Sequence, residues 1–251
     1  MTIAAFFDID GTLYRNSLMI EHFKKLLKYE VFDPIIWHSN VKKIFNEWEK
    51  REGDYDTYME ELAEVYVNGL KGLNKFEYDL IAKQTIALCG DKVYSYTRQQ
   101  IEYHKAQGHL VLFISGSPDY LVSKMANKYN ADDYRASLYK INEKNEFTGE
   151  VIPMWDGLHK IEAMKELQKK YNIDFNKSYA YGDTNGDLKM LQTIKYPIAI
   201  NPSFELINSI KNDDNLNRSV KIIVERKDAI YELNSSTNIT KGGRDEFRRN
   251  T

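Results

Sequence analysis

The sequence is poor in cysteine: Cys89 stands alone among 251 residues. An intramolecular disulfide is excluded, and no Cys/His grouping has the spacing of a zinc site. A reducing compartment, the cytoplasm, is the expected setting. An excess of either charge is lacking too. Lys+Arg number 35 against 37 Asp+Glu, a net charge of −2, so neither a nucleic-acid footprint nor a polybasic membrane anchor is expected. Apolar runs fall far short of the ~20 residues that cross a bilayer. Residues 1–7 carry no basic leader and run straight into carboxylates, so they do not read as a signal peptide. Asn-x-Ser/Thr matches such as Asn238-Ile239-Thr240 then read as chance. There is no internal repeat and no low-complexity tract.

What is present is a globular chain, 42% apolar, of a length that suits one large domain or two modest ones. Short apolar runs read as buried strands: 3–7, 110–114, 178–181, 197–200 and 220–224. Helix-period stretches lie near 91–107, 118–129, 157–171, 186–193 and 203–211. Strands alternating with helices imply an α/β fold, a parallel sheet covered on both faces.

Residues 17–86 differ. Trp37, Val41, Ile44 and Trp48 form one helical seam, and Tyr55, Met59, Leu62 and Tyr66 another, with no convincing strand between them. Asp33-Pro34, Gly53-Asp54 and Gly69-Leu70-Lys71-Gly72 punctuate the run. The expectation is a small helical bundle inserted after the first strand, its aromatics mainly core, with one or two lining a substrate pocket. Residues 134–151 suggest a hairpin around Asn142-Glu143-Lys144-Asn145. Beyond Arg226 the chain turns polar, and 234–251 reads as a mobile tail. Its string Lys241-Gly242-Gly243-Arg244 resembles a phosphate loop but follows no strand, which favours a solvated tail.

The first strand runs into Asp8-Ile9-Asp10-Gly11-Thr12-Leu13. Sites in open parallel sheets form beyond the carboxyl ends of strands. Two carboxylates facing one cleft repel unless a cation lies between them or one is protonated. Gly11 permits the sharp turn. The pair is either a metal-binding nucleophile with a companion acid or a loop of turn-forming aspartates; the apolar strand leading into it favours the first. A second strand ends in Ser115-Gly116-Ser117-Pro118. Ser117 can cap a helix with Pro118 at its first position. That helix start, the Gly116 amide and the Ser115 hydroxyl would make an anion cradle, or an ordinary cap. A third element is Gly182-Asp183-Thr184-Asn185-Gly186-Asp187, whose two acids are four apart. They would share a face of one helical turn. Magnesium, which prefers oxygen ligands, suits such acids; helix capping is the alternative. Lys160 opens the helix of 157–171, 45 residues after Ser115 and 23 before Asp183. Taken alone it reads as solvated surface.

In order, these four elements resemble the haloacid dehalogenase superfamily, over about residues 3–14 and 90–210. Ser115-Gly116-Ser117-Pro118, the hairpin ending Phe147-Thr148-Gly149-Glu150, and the spacing to Lys160 are similar to the phosphoserine phosphatase-like subgroup. The resemblance implies a three-layer Rossmann-like parallel sheet core (1–16 and 87–228), a type 1 helical cap (17–86) and a polar tail (229–251). It implies a Mg²⁺-dependent phosphomonoesterase acting on a small phosphorylated metabolite. Asp8 corresponds to the nucleophile that becomes an aspartyl-phosphate, and Asp10 to the acid that protonates the leaving oxygen and then activates water. Ser115, the Gly116 amide and Lys160 correspond to the phosphate grip. Asp8, the Asp10 carbonyl and Asp183 would hold Mg²⁺, with Asp187 holding its waters. A second acid at position 10 favours phosphoryl chemistry over halide expulsion, which needs no proton donor. A phosphotransferase or phosphomutase using the same intermediate, or a phospho-accepting module, are the rival readings.

Two departures from the family pattern stand out. Many relatives carry Asn directly before the last Asp; here Gly186 stands there and Asn185 one earlier. The glutamate that grips the amino group in phosphoserine phosphatases corresponds to Ser17, with Glu21 four residues on. Specificity is expected from the helical insert, acting as a lid with hinges near 14–17 and 84–90, and from Tyr14, Arg15 and 154–157.

Overall fold

The computed structural model describes residues 1–50, 52, 53, 55–234 and 236–242. The chain opens with β1 (Ala4–Phe7) and then runs through helices: α1 (Leu18–Lys28), α2 (Pro34–Ile36), α3 (Lys42–Glu49), α4 (Tyr55–Leu70), α5 (Lys75–Cys89) and α6 (Ser95–Ala106). There follow β2 (Leu110–Pro118), α7 (Asp119–Tyr129), β3 (Asp133–Ile141), β4 (Phe147–Ile152) and α8 (Gly157–Tyr171). The rest comprises β5 (Tyr179–Gly182), α9 (Leu188–Thr193), β6 (Tyr196–Ile200), α10 (Phe204–Lys211), α11 (Asp214–Ser219), β7 (Lys221–Arg226) and β8 (Ala229–Leu233).

The strands form one sheet in the order β4-β3-β2-β1-β5-β6-β7-β8. From β3 to β7 neighbours are parallel; β4 and β8 close the two edges as antiparallel hairpin partners. The α/β fold expected from the alternation is therefore the fold observed. Strand periodicity divides the core cleanly. Phe7, Val111, Phe113 and Tyr181 face one side with the inserted helices. Phe6, Leu112, Ile114 and Ala180 face the other, against Met164, Leu167, Met190 and Leu206. Because β1 pairs with β2 on one side and β5 on the other, the strand ends at Asp8, Ser115 and Gly182 lie beside one another. This is the switch point where parallel sheets place their sites.

Several elements differ from the sequence reading. The seam from Trp37 to Trp48 is not one helix. A π-helical turn at Trp37–Val41 separates α2 from α3, and only Val41 of the four is fully buried. Helix α5 continues to Cys89, past the expected return at 86. The entry and exit of the insert lie side by side: Arg15 N donates to Lys92 O at 3.0 Å and Tyr94 N to Leu13 O at 2.9 Å. Residues 229–233, placed in the polar tail, form β8 instead, paired with β7 from Ile222↔Leu233 to Arg226↔Ala229. Its side chains are half-buried or exposed, which is why it lacked an apolar signature. Beyond it, Lys241 pairs with Glu205 at 3.3 Å. Gly243 and Arg244 of the expected Lys-Gly-Gly-Arg string lie outside the described residues, as do 235 and 245–251 of the expected tail.

Among the described residues no helix is long and apolar enough to cross a membrane. Two histidines are buried beneath the sheet and the insert. His22 Nδ1 meets the Tyr66 hydroxyl at 2.8 Å, and His104 Nε2 meets the Tyr181 hydroxyl at 2.8 Å. Burial pushes His22 down to about 3 and, with His109 beside it, His104 down to about 4. The unfolded chain takes up these protons below about pH 6.5 and the folded one does not, so this contribution to stability is lost as pH falls. Between pH 6.5 and 5 the effect is on the order of 2 kcal/mol per histidine. Urea unfolding of His104→Gln should therefore show a deficit against wild type that shrinks by about 2 kcal/mol at pH 5. An equal deficit at pH 7 and pH 5 would contradict it.

Candidate active site

Three loops meet at the carboxyl ends of β1, β2 and β5. The first follows β1. Gly11, at φ 82, turns the chain in a conformation that L side chains rarely adopt. A Cβ there would stand 2.0 Å from Asp183 Oδ2. Thr12 Oγ1 instead donates to Asp183 Oδ1 at 3.0 Å. The motif's glycine and threonine thus make room for, and hold, an acid 171 residues away.

The second loop begins at Gly182, where a Cβ would lie 2.4 Å from that of Asp187. The chain makes a 3₁₀ turn at Asn185–Asp187, capped by Thr184. Asp187 Oδ2 accepts from the amides of Asp183 at 3.0 Å and Thr184 at 3.2 Å. Its other oxygen faces Lys160. The Nζ of Lys160 lies 2.6 Å from Asp187 Oδ1 and 2.7 Å from Asp8 Oδ1. This lysine is only 3% exposed, the opposite of the surface residue its surroundings in sequence suggested.

Asp8, Asp183 and Asp187 each offer an oxygen within 4.8 Å of the others. Were all three carboxylates ionised, one ammonium would leave two negative charges in a buried volume. Burial pushes Asp8 up to about 8; Lys160 opposes this, while Asp187 and Asp10 add to it. Burial, then Asp8 and Asp187, drive Asp183 well above the usual carboxylate range. Burial alone would lower Lys160, but Asp187 and Asp8 outweigh it and keep the ammonium protonated. A divalent cation relieves this imbalance, and an all-oxygen donor set suits a hard ion rather than zinc.

Asp10 stands apart from that cluster. Its Oδ1 accepts from Leu18 N at 2.8 Å, and its Oδ2 accepts from the Ser117 hydroxyl. Burial pushes it up to about 6, against the pull of these two bonds. The expected cap at Ser117 is thus corrected: α7 starts after Pro118 with no side-chain cap, and Ser117 serves Asp10 instead. Ser115 is fully buried, its Oγ accepting from Ser117 N at 3.2 Å. Gly116, Ser117 and Lys160 line the adjoining cleft; Ser115, fully buried, is not part of its lining.

That cleft has a volume of about 1420 Å³ and is roofed by the helical insert. Phe45, Trp48, Tyr58 and Met59 give its lining an apolar part, to which Glu21 and Lys24 add charge. Glu21 pairs with Lys24 at 3.4 Å, and Ser17 caps α1. Arg15 does not reach freely into the cleft: its Nε donates to Val93 O at 3.1 Å, and its guanidinium meets Glu225 at 3.4 Å. Trp155 explains the departure at Gly186. A Cβ at 186 would stand 2.7 Å from the Trp155 carbonyl, so no side chain fits. Asn185 lines the cleft from the neighbouring position and accepts from Ser209 Oγ at 2.9 Å.

Residues 5–192 match the family model described as haloacid dehalogenase-like hydrolase, and the chain belongs to that family. The "Inhibition of morphological differentiation protein" of Streptomyces azureus is 27% identical over 201 residues, 79% of this chain and 72% of that one. "Phosphoserine phosphatase SerB1" of Mycobacterium tuberculosis is 25% identical over 217 residues, 82% of this chain and 67% of that one. A phosphoserine phosphatase solved as a phospho-aspartyl intermediate analogue shares the fold, with a TM-score of 0.57 and 20% identity. It covers 90% of this chain and 95% of its own. The chain is an enzyme of this hydrolase family with phosphatase relatives.

The close approach at Gly182 gives a direct test. Gly182→Ala must displace Asp187, and overpacking of this kind costs roughly 1–3 kcal/mol. Gly242→Ala, with nothing within 4 Å, should change stability by less than ~0.5 kcal/mol. Urea unfolding reads both; equal stabilities for the two variants would show that the 182 site yields freely.

Proposed function

We propose that this chain is a Mg²⁺-dependent phosphomonoesterase acting through an aspartyl-phosphate on Asp8. The observation that carries the reading is the Lys160 ammonium, buried between Asp8 and Asp187 with Asp183 alongside. Asp8, Asp183 and the Asp10 carbonyl would hold the ion, with Asp187 holding its waters through the lone pair that Lys160 leaves on Oδ1. Bound there, Mg²⁺ supplies the positive charge that lets an anionic carboxylate and an anionic phosphoryl group approach.

The protein's own groups do the rest. Lys160 engages Asp8 Oδ1, which leaves Oδ2 for attack on phosphorus. Lys160, the Ser115 hydroxyl and the Gly116 amide grip the phosphoryl oxygens as charge spreads over them. Asp10 gives a proton to the leaving alkoxide and then takes one from the water that hydrolyses the acyl-phosphate. Burial favours the protonated form that the first step needs. Splitting hydrolysis in two lets one phosphoryl pocket serve both halves.

The substrate reading is a small phosphorylated metabolite. The leaving group sits under the insert (17–86), which acts as a lid over the core (1–16 and 87–228) and sheds bulk water on closing. The cleft is far roomier than serine phosphate requires, and Ser17 is occupied as a helix cap. Both features favour an alcohol with an apolar body over serine itself.

Release of phosphate from p-nitrophenyl phosphate should need Mg²⁺, vanish in EDTA, and fall by at least ~10³-fold in Asp8→Asn, since loss of a covalent nucleophile removes the pathway. Undiminished turnover in EDTA or in Asp8→Asn would refute the proposal.

A further inference from the structure

Asp10 is held by two donors from different parts of the molecule. Leu18 N belongs to the first residue of α1, in the insert. Ser117 belongs to β2, in the sheet, where the register against β3 shifts between Ser115 and Pro118. Ser117 is 3% exposed. Its neighbours fix it tightly. Ser137 Oγ donates to Gly116 O at 2.7 Å and accepts from Met154 N at 3.0 Å. A Cβ on Gly116 would meet Trp155 Cβ at 3.0 Å, so this loop has little freedom. The Ser117 hydroxyl thus stands on a platform made by β2, β3 and the 153–156 loop. The Leu18 amide comes from α1, in the insert.

We infer that Ser117 is a positioning residue, holding the Asp10 carboxyl in line for leaving-group protonation. The inference rests on Asp10 being the general acid of the proposed reaction. A backbone amide can only donate, so it serves Asp10 only through an unprotonated oxygen. A hydroxyl can donate to a carboxylate and, once rotated, accept from a carboxylic acid. The Ser117 contact therefore persists on both sides of the proton transfer. As the phosphorus–oxygen bond to the alcohol breaks, its electron pair passes to the alcohol oxygen, which takes the Asp10 proton. The bond from Asp8 to phosphorus forms, and the Asp10 carboxylate is left accepting from Ser117 again. A displacement of about 1 Å at such a group costs on the order of a hundredfold in rate.

The dependence on leaving group separates this role from a structural one. An alkyl phosphate must have its oxygen protonated, whereas p-nitrophenolate departs without a proton. The ratio kcat/KM reads steps only through release of the alcohol, so hydrolysis of the acyl-phosphate does not enter it. Ser117→Ala should lose at least about tenfold more in kcat/KM on the alkyl ester than on the aryl ester, a part of the 10²–10⁴ that acid catalysis supplies. Ser117→Thr, which keeps the hydroxyl, should restore most of the difference. Should Ser117→Ala fail to fold, Ser117→Cys, nearly the same size with a weak donor, should show the same selective loss. Equal losses on both esters, or a Thr variant no better than Ala, would overturn the assignment. Wild type inactive on both esters would instead overturn the phosphomonoesterase reading, and this assignment with it.

Discussion

The buried contact of Lys160 with Asp8 and Asp187 constrains everything around it. Removing three such charges from water is costly, and an ion pair in the interior returns that cost only with good geometry and saturated hydrogen bonding. Here the geometry is fixed from every side. Lys160 comes from the first turn of α8, whose start is capped by Asp156. Asp8 extends β1, whose neighbours β2 and β5 pin it on both flanks. Asp187 is clamped by two backbone amides. The negative charge that ionised acids would leave here is what a divalent cation would offset in the proposed reaction.

The sheet supplies position and the insert supplies enclosure. Parallel strands deliver Asp8, Ser115 and Gly182 to one edge because their registers agree, and apolar side chains on both faces hold them there. The insert packs into the same apolar cluster as one face of the sheet. It is joined to the core by two neighbouring segments bonded to each other. Its first helix reaches the site directly, through the Leu18 amide on Asp10. The acid of the proposed reaction therefore sits where the two parts of the molecule meet, and enclosure of the leaving group and orientation of the acid share one joint.

Much of this was legible in the sequence, for a physical reason. A buried parallel strand must be apolar throughout, so acids placed directly after such a run stand out, as Asp8 and Asp183 do. Lys160 did not stand out. One lysine at the start of an amphipathic helix has no local signature of burial, and only the order of the four elements marked it. Ser117 misled because hydroxyls beside proline commonly cap helices; its true partner lies 107 residues earlier. Thr12 was visible in the motif but its task was not, since its partner Asp183 is equally remote. The edge strand β8 was missed because one-sided exposure removes the apolar run. The seam from Trp37 to Trp48 was read as continuous because a π turn leaves no mark on spacing that short.

The claim at the centre is that Asp8 itself carries the phosphoryl group. Rapid acid quench during turnover, reduction with borohydride, and mass spectrometry of the peptide spanning residues 3–15 address it directly. The account predicts homoserine at position 8, formed in the presence of Mg²⁺ and absent in EDTA. Turnover with an unmodified Asp8, or with the label on another residue, would contradict it.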